Sequence, residues 1–167
     1  MKKIIITNGS GRCGKDTFAE ILAKYVTVVK YSSIDFFKEI GKLGLMSENK
    51  GEKERLLLHN LKKAFIEYND LPLFLCSQRI DRFLQFEHSD LLIIDIREPD
   101  EIEKIVQLYP EIKTVLMINK NVPLIKSNTS DEGVFDYIYD FVIDNSDTLE
   151  TLEESAITFL KELNFLI

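Results

Sequence analysis

Glycines and a lysine near the start of the chain have a spacing that can bind phosphate. Residues 4–17 read IIITNGSGRCGKDT, which contains the pattern G-x-x-x-x-G-K. Gly9, Gly11 and Gly14 allow backbone conformations that other residues avoid, so the N–H groups of such a loop can turn inward around an anion. A helix that begins at Lys15 would add its unpaired N–H groups and the positive end of its dipole. The spacing therefore predicts a phosphate-binding loop between a buried strand and a helix.

The residue after this lysine departs from the usual pattern. Most loops of this kind carry Ser or Thr there, whose hydroxyl binds Mg²⁺, whereas here Asp16 follows the lysine and Thr17 comes next. A carboxylate beside a polyphosphate is repelled unless a cation lies between them, so we interpret Asp16 as a Mg²⁺ ligand, directly or through water. The alternative is a plain glycine turn in which Asp16 only caps the helix. The strand, glycine spacing, lysine and helix together favour phosphate binding.

A second pair of candidate residues follows another apolar run. Residues 91–95 read LLIID, and a carboxylate at the end of such a buried strand can lie beside the loop and hold Mg²⁺ through water. Arg97 projects from the same side as Asp95, and its guanidinium could bind a transferring phosphoryl group or a second phosphate. The alternatives are a strand-end cap for Asp95 and a salt bridge to Glu98 or Glu101 for Arg97.

Length, charge and composition restrict the class of protein. The 167 residues are enough for one domain with a core, and 45% of them are hydrophobic. A net charge of −7 argues against a nucleic-acid-binding surface. We expect no membrane association, because no apolar run approaches the roughly 20 residues that cross a bilayer. The apolar run near the N-terminus is too short for a secretory signal, and the two cysteines predict no disulfide framework, which fits a cytoplasmic protein.

Strands and helices alternate along the chain, which predicts an α/β fold with a central sheet of five parallel strands. The predicted strands are 4–6, 27–31, 91–95, 114–118 and 141–143. Residues 35–86 read as helical, broken by glycines and a proline, and this excursion is longer than an ordinary crossover. It predicts a helical layer that could hold a second substrate. The polar, irregular residues 119–133 are a candidate lid.

The motifs resemble a known family. GSGRCGKDT resembles the phosphate loop, or P-loop, of the phage-type deoxynucleoside monophosphate kinases, in which G-K-D-T replaces G-K-[ST]. IIDIREPDEIEKI looks like that family's strand, D-x-R and helix segment. YSSIDFFKEIGKL and YDFVIDNSDTLETLEE look like the segments after its second strand and at its end. The resemblance implies a single P-loop kinase domain over residues 1–167. This domain would have three layers, a helical acceptor-binding insertion near 35–88 and a short lid near 119–133.

The resemblance also implies an activity and roles for individual residues. The chain would be an ATP- and Mg²⁺-dependent kinase of a nucleoside or deoxynucleoside monophosphate, a small-molecule substrate. The loop residues that would bind the ATP phosphates are Gly9, Ser10, Gly11, Arg12, Cys13, Gly14, Lys15, Asp16 and Thr17. The catalytic residues would be Lys15, Asp95 and Arg97, the Mg²⁺ ligands Asp16 and Asp95, and the residue at the adenine Asn145. The acceptor residues would be Asp35, Lys38, Arg97 and Arg79, with Arg82 as the alternative to Arg79.

Four questions stay open in the sequence. The lid of related kinases carries arginines, whereas residues 119–133 offer only Lys120 and Lys126 as cations. The acceptor could instead be another small phosphorylated metabolite, because phosphomevalonate kinases of animal type share this loop. A regulatory module that binds ATP without turnover is the alternative from a different class. The oligomeric state is open, a homodimer included.

Overall fold

Five parallel strands form the sheet of the computed structural model, which describes residues 2–47, 51–123 and 133–167. The strands are β1 (Lys3–Asn8), β2 (Val28–Ser32), β3 (Leu91–Asp95), β4 (Lys113–Ile118) and β5 (Phe141–Asp144). Their order across the sheet is β2-β3-β1-β4-β5, so β1 lies at the centre between β3 and β4. The predicted five-stranded parallel sheet is confirmed.

Helices cover both faces of this sheet. The helices are α1 (Lys15–Leu22), α2 (Asp35–Leu43), α3 (Glu52–Asn69), α4 (Leu71–Phe86), α5 (Pro99–Leu108) and α6 (Leu149–Glu162). Proline lies in the first turn of α4 and α5, where its missing N–H costs nothing. The Thr148 hydroxyl accepts a hydrogen bond from the Thr151 N–H (3.3 Å) and caps α6. A short 3₁₀ helix covers Gly133–Phe135.

The isoleucine run of β1 serves two separate cores. Ile5 packs with α1 and α6 on one face of the sheet, whereas Ile4 and Ile6 pack with α4 and α5 on the other. Successive side chains of a strand point to opposite faces, so a central strand covered on both sides needs an unbroken apolar run. Cys13 and Cys76 are both buried and both free.

The segment between β2 and β3 contains α2, α3 and α4. Helix α4 lies on the sheet and buries Cys76, Ile80 and Phe83, while α3 packs on α2 and α4. In α3 the buried side chain is a charged one, Lys62. Residues 124–132 of the predicted lid, Lys126 included, lie outside the described residues. Among the described helices, none has the length and apolar composition that a membrane crossing requires.

Candidate phosphate-binding site

The loop between β1 and α1 needs its glycines for two different reasons. Gly9 (φ +147°) and Gly14 (φ +99°) adopt backbone conformations that residues with a side chain rarely adopt. Both glycines also lack space for a side chain. A Cβ on Gly9 would lie 2.5 Å from the carbonyl oxygen of Met117, and one on Gly14 would lie 2.2 Å from Nδ2 of Asn145. The glycine spacing that predicted this loop is therefore a requirement of its backbone and of its neighbours.

The Lys15 side chain folds back over the loop. Its Nζ donates hydrogen bonds to the carbonyl oxygens of Gly9 (3.0 Å) and Ser10 (3.5 Å). Asp16 follows in the first turn of α1, where a carboxylate interacts favourably with the helix dipole. The loop thus holds a cationic group beside the N-terminus of a helix, an arrangement that attracts an anion.

Two asparagines fix the loop from opposite ends. Asn8, which is fully buried, accepts a hydrogen bond from the Gly9 N–H (2.8 Å) and donates its amide to the carbonyl oxygen of Arg97 (3.0 Å) and to the Tyr139 hydroxyl (2.8 Å). Asn145 donates its amide to the carbonyl oxygen of Cys13 (3.1 Å). Sequence reasoning missed Asn8. The feature of the sequence that could have indicated Asn8 is a polar residue at the end of an apolar strand, directly before the first glycine.

The D-x-R motif lies directly beside the loop. Thr7 and Asp95 are register partners in β1 and β3, and the Thr7 hydroxyl donates to Oδ1 of Asp95. Two residues further on, the carbonyl oxygen of Arg97 accepts the bond from Asn8. The pairing of β1 with β3 therefore places the Asp95 carboxylate and the Arg97 backbone beside the strand end from which the glycine loop starts, although the two motifs are far apart in the sequence.

A lysine that sequence reasoning missed lies beside both predicted Mg²⁺ ligands. The Lys30 ammonium, from β2, forms an ion pair with Oδ1 of Asp16 and lies 3.9 Å from Oδ2 of Asp95. The feature of the sequence that could have indicated Lys30 is its charge inside the apolar run TVVKY. Carboxylate oxygens around a cation are a donor set that suits a hard ion such as Mg²⁺. The described residues contain no group of three or more acidic, histidine or cysteine side chains arranged for a metal. The phosphates of a nucleotide would have to complete such a site.

The predicted acceptor residues fall into two groups. Asp35, at the start of α2, pairs with Lys38 (2.7 Å) and accepts a hydrogen bond from the Ser32 N–H (3.2 Å), which holds both residues at the carboxyl end of β2. Arg79, by contrast, forms two hydrogen bonds with the Glu87 carboxylate, at 2.7 and 3.1 Å. That bidentate pair uses the fork of the guanidinium that a phosphate would otherwise bind.

A buried charge network lies behind the D-x-R motif. Nζ of Lys62, a residue only 2% exposed, lies 2.6 Å from a Glu98 carboxylate oxygen, 2.5 Å from one of Glu101 and 2.7 Å from Oγ of Ser33. Burial by itself lowers the pKa of Lys62, but the two carboxylates outweigh it and raise the pKa above its ordinary value. Burial also raises the pKa of Glu101, in part offset by Lys62. The network joins α3 to the turns after β2 and β3.

A cleft of about 400 Å³ opens next to this network, between α3 and the start of α5. Its lining includes Lys62 and Glu98, together with Asp136 and with Gly133, the last residue of the predicted lid. Burial raises the pKa of Tyr139, the Asn8 partner, to about 12, so its hydroxyl stays protonated and donates to the carbonyl oxygen of Val134 (2.7 Å). A chain of hydrogen bonds thus connects the phosphate loop to the 3₁₀ helix Gly133–Phe135, whose first residue lines the cleft.

Comparisons with known proteins find solved structures with a similar fold but no protein with a similar sequence. No family model and no curated protein matches this chain. Among solved structures, a sugar kinase from a Janibacter species has a TM-score of 0.59 at 13% identity, covering 96% of this chain and 95% of that one. The tunicamycin resistance protein of Deinococcus radiodurans has a TM-score of 0.58 at 11% identity, covering 98% and 96%.

A thymidylate kinase from Candida albicans has a TM-score of 0.55 at 15% identity, and the match covers 98% of this chain and 93% of that one. At these identities the likeness concerns the arrangement of strands and helices, which extends over nearly the whole length of each protein. It agrees with the glycine loop at the end of the central strand β1 and with the five-stranded parallel sheet. The chain therefore shares its α/β fold with these two kinases and with the tunicamycin resistance protein.

Proposed function

We propose that this protein is an ATP-dependent phosphotransferase that moves the γ-phosphoryl group of ATP to a nucleoside or deoxynucleoside monophosphate. The observation that carries the proposal is the position of the glycine loop beside the D-x-R motif, linked through the Thr7–Asp95 and Asn8–Arg97 hydrogen bonds. A loop alone accounts for phosphate binding, whereas an arginine beside it accounts for a second phosphorylated ligand.

The chemistry rests on position and charge. The loop N–H groups and Lys15 bind the ATP phosphates, and Lys15 neutralises charge on the transferring group. Asp16 and Asp95 would hold Mg²⁺, which supplies further charge neutralisation between the phosphates. Arg97 orients the acceptor so that an oxygen of its phosphate attacks the γ-phosphorus in line while ADP leaves, without a covalent enzyme intermediate.

The acceptor would lie between the sheet edge and the helical segment. Asp35 and Lys38 stand at the start of that segment, and the cleft beside Lys62 is lined by Glu98, the residue that follows Arg97. The segment near residues 35–88 and the lid near 119–133 would close over the phosphates and exclude water, which is itself an acceptor. The Arg79 guanidinium would have to break its hydrogen bonds with Glu87 before it could bind the acceptor phosphate. We therefore propose Arg97 as the main ligand of that phosphate.

One observation favours a second candidate, an ATP-binding regulatory module without turnover. In the described part of the predicted lid, the lysine is Lys120, and its ammonium pairs with Asp144 (2.7 Å). That pair holds the charge at the end of β5, and a lysine lacks the bidentate fork of an arginine. A weaker lid would slow phosphoryl transfer without preventing ATP binding.

A coupled ADP-release assay with ATP and Mg²⁺ tests the proposal. The panel contains all ribo- and deoxyribonucleoside monophosphates, with phosphomevalonate as the metabolite alternative, and ATP binding is followed separately by thermal shift. We expect turnover with one or a few nucleotides and greatly reduced turnover with the Lys15→Ala variant. Turnover with phosphomevalonate alone would change the acceptor class. ATP binding without any product would favour the regulatory module.

A further inference from the structure

The Lys30 side chain occupies the space between the two carboxylates that we assign to Mg²⁺. It forms an ion pair with Asp16 and lies 3.9 Å from Asp95, whose second oxygen accepts the Thr7 hydroxyl. The Asp95 side chain is only 21% exposed, so its charge is poorly solvated without a partner. Lys30 is itself 36% exposed and approaches from the edge strand β2, outside the loop.

An ammonium and a divalent cation cannot both occupy this position. Two like charges about 4 Å apart repel strongly near a protein surface, and here one of them would carry two charges. A Mg²⁺ ion that binds Asp16 and Asp95 must therefore displace the Lys30 ammonium.

The structure provides a second location for the displaced side chain. A groove of about 340 Å³ runs along α1 beside β2 and is lined by Asp16, Ala19, Glu20 and Lys30, with Ala23 and Val28 further along. Glu20 follows Asp16 by one helical turn on the same face, so the flexible lysine stem can transfer its ammonium from one carboxylate to the other. The small side chains of Ala19 and Ala23 leave room for this movement.

We propose that Lys30 is an internal counter-ion of the Mg²⁺ site, which a divalent cation displaces toward Glu20 when it binds. The inference rests on the proposed function, because the ATP phosphates are the ligands that would complete the metal site. Without nucleotide, Lys30 keeps the two carboxylates paired and weakens the binding of free metal. Metal arriving with phosphates overcomes this competition, so Lys30 couples metal binding to nucleotide binding.

The first test measures metal affinity directly. Mn²⁺ takes the same oxygen ligands as Mg²⁺, and electron paramagnetic resonance counts the free ion in a titration of nucleotide-free protein. We expect Lys30→Met to bind Mn²⁺ roughly tenfold more tightly than the wild type, equivalent to the loss of one neighbouring positive charge. The double variant Lys30→Met/Asp16→Asn should lose this gain. The matched control Lys24→Met removes an exposed lysine that pairs with Glu153, away from the site.

The outcomes distinguish failure of the counter-ion role of Lys30 from failure of the proposed kinase function. Equal Mn²⁺ affinity in the wild type and Lys30→Met, or a similar gain in Lys24→Met, would overturn the counter-ion role. So would weaker ATP binding in Lys30→Met at unchanged metal affinity, which would make Lys30 a phosphate ligand. A gain confined to Lys30→Met supports the role even when no acceptor is phosphorylated, so failure of the kinase proposal is recognised separately by the ADP-release assay.

A second measurement needs no substitution. Reductive methylation followed by mass spectrometry reports how accessible each lysine amine is. We expect methylation of Lys30 to increase severalfold when Mg²⁺ and ATP are added, while that of Lys24 stays constant. Reduced methylation of Lys30 in the presence of Mg²⁺ and ATP would contradict the displacement.

Discussion

The Thr7 hydroxyl of β1 donates a hydrogen bond to the Asp95 carboxylate of β3, and the two residues are register partners in adjacent parallel strands. This contact fixes the acidic end of the D-x-R motif beside the loop that begins two residues after Thr7. Because one oxygen of Asp95 is held by Thr7, the other is directed toward Lys30 and the start of α1. The strand register thereby decides which groups surround the glycine loop.

Lys15→Ala should greatly reduce transfer while the fold is retained. The Lys15 ammonium donates to the loop carbonyl oxygens of Gly9 and Ser10 and lies 3.8 Å from the Cys13 sulfur, so its hydrogen bonds stay within the loop. We expect kcat to fall by about 10²-fold or more, because a charge that stabilises the transferring group is lost. Steady-state kinetics and thermal unfolding check this. Unchanged activity would mean that the loop does not bind the transferred phosphate.

Arg97→Ala should affect the acceptor more than ATP. A charged hydrogen bond to phosphate contributes about 1.5–3 kcal/mol, so we expect the acceptor KM to rise roughly 10- to 100-fold while the KM for ATP changes little. Arg97→Lys should restore the charge but not the bidentate geometry, and so recover only part of the loss. A loss confined to ATP affinity would move Arg97 out of the acceptor site.

Lys62→Met should destabilise the protein, and by more at higher pH. Removing one partner of a buried ion pair costs about 3–5 kcal/mol, because Glu98 and Glu101 are left without their cation. Burial already raises the pKa of Glu101, and loss of Lys62 raises it further. The folded variant then binds protons more readily than the unfolded chain, so its stability falls as pH rises. Lys63→Met, an exposed neighbour in α3, is the matched control.

Denaturant titrations of both variants at about pH 5 and about pH 8 measure this difference. We expect the deficit of Lys62→Met relative to the wild type to be smaller at the lower pH, where protonation neutralises the Glu101 carboxylate. The Lys63→Met control should change by less than about 1 kcal/mol at both values, as surface pairs do. A deficit that is independent of pH would argue that Lys62 acts through packing alone.

Gly14→Ala should weaken ATP binding and lower stability. The φ of +99° strains any side chain by about 1–3 kcal/mol, and the added Cβ would displace the Asn145 amide from the loop carbonyl of Cys13. Combining it with Asn145→Ala should relieve the collision but not the backbone strain. Isothermal titration with ATP and thermal unfolding test both variants, and full recovery in the double variant would show that the backbone conformation is not limiting.

The sequence alone determined the parts of the fold that depend on local pattern. The isoleucine run, the glycines and the following amphipathic residues predict strand, loop and helix, because each follows from residues close together in the chain. LLIID likewise predicts a buried strand that ends in a carboxylate. The alternation of such segments was enough for a five-stranded parallel sheet.

Only the tertiary structure decided which charged groups meet. Asp95 lies beside the loop because β3, far along the chain, pairs with β1, and no spacing within either motif specifies that pairing. The sequence of a helix does not show whether a lysine is exposed or buried. Lys63 is exposed, whereas its neighbour Lys62 is buried against two carboxylates. The pairing of Lys30 with Asp16 and Asp95 follows from the same cause. These pairs join residues that are far apart in the sequence, and they form only when strands and helices pack.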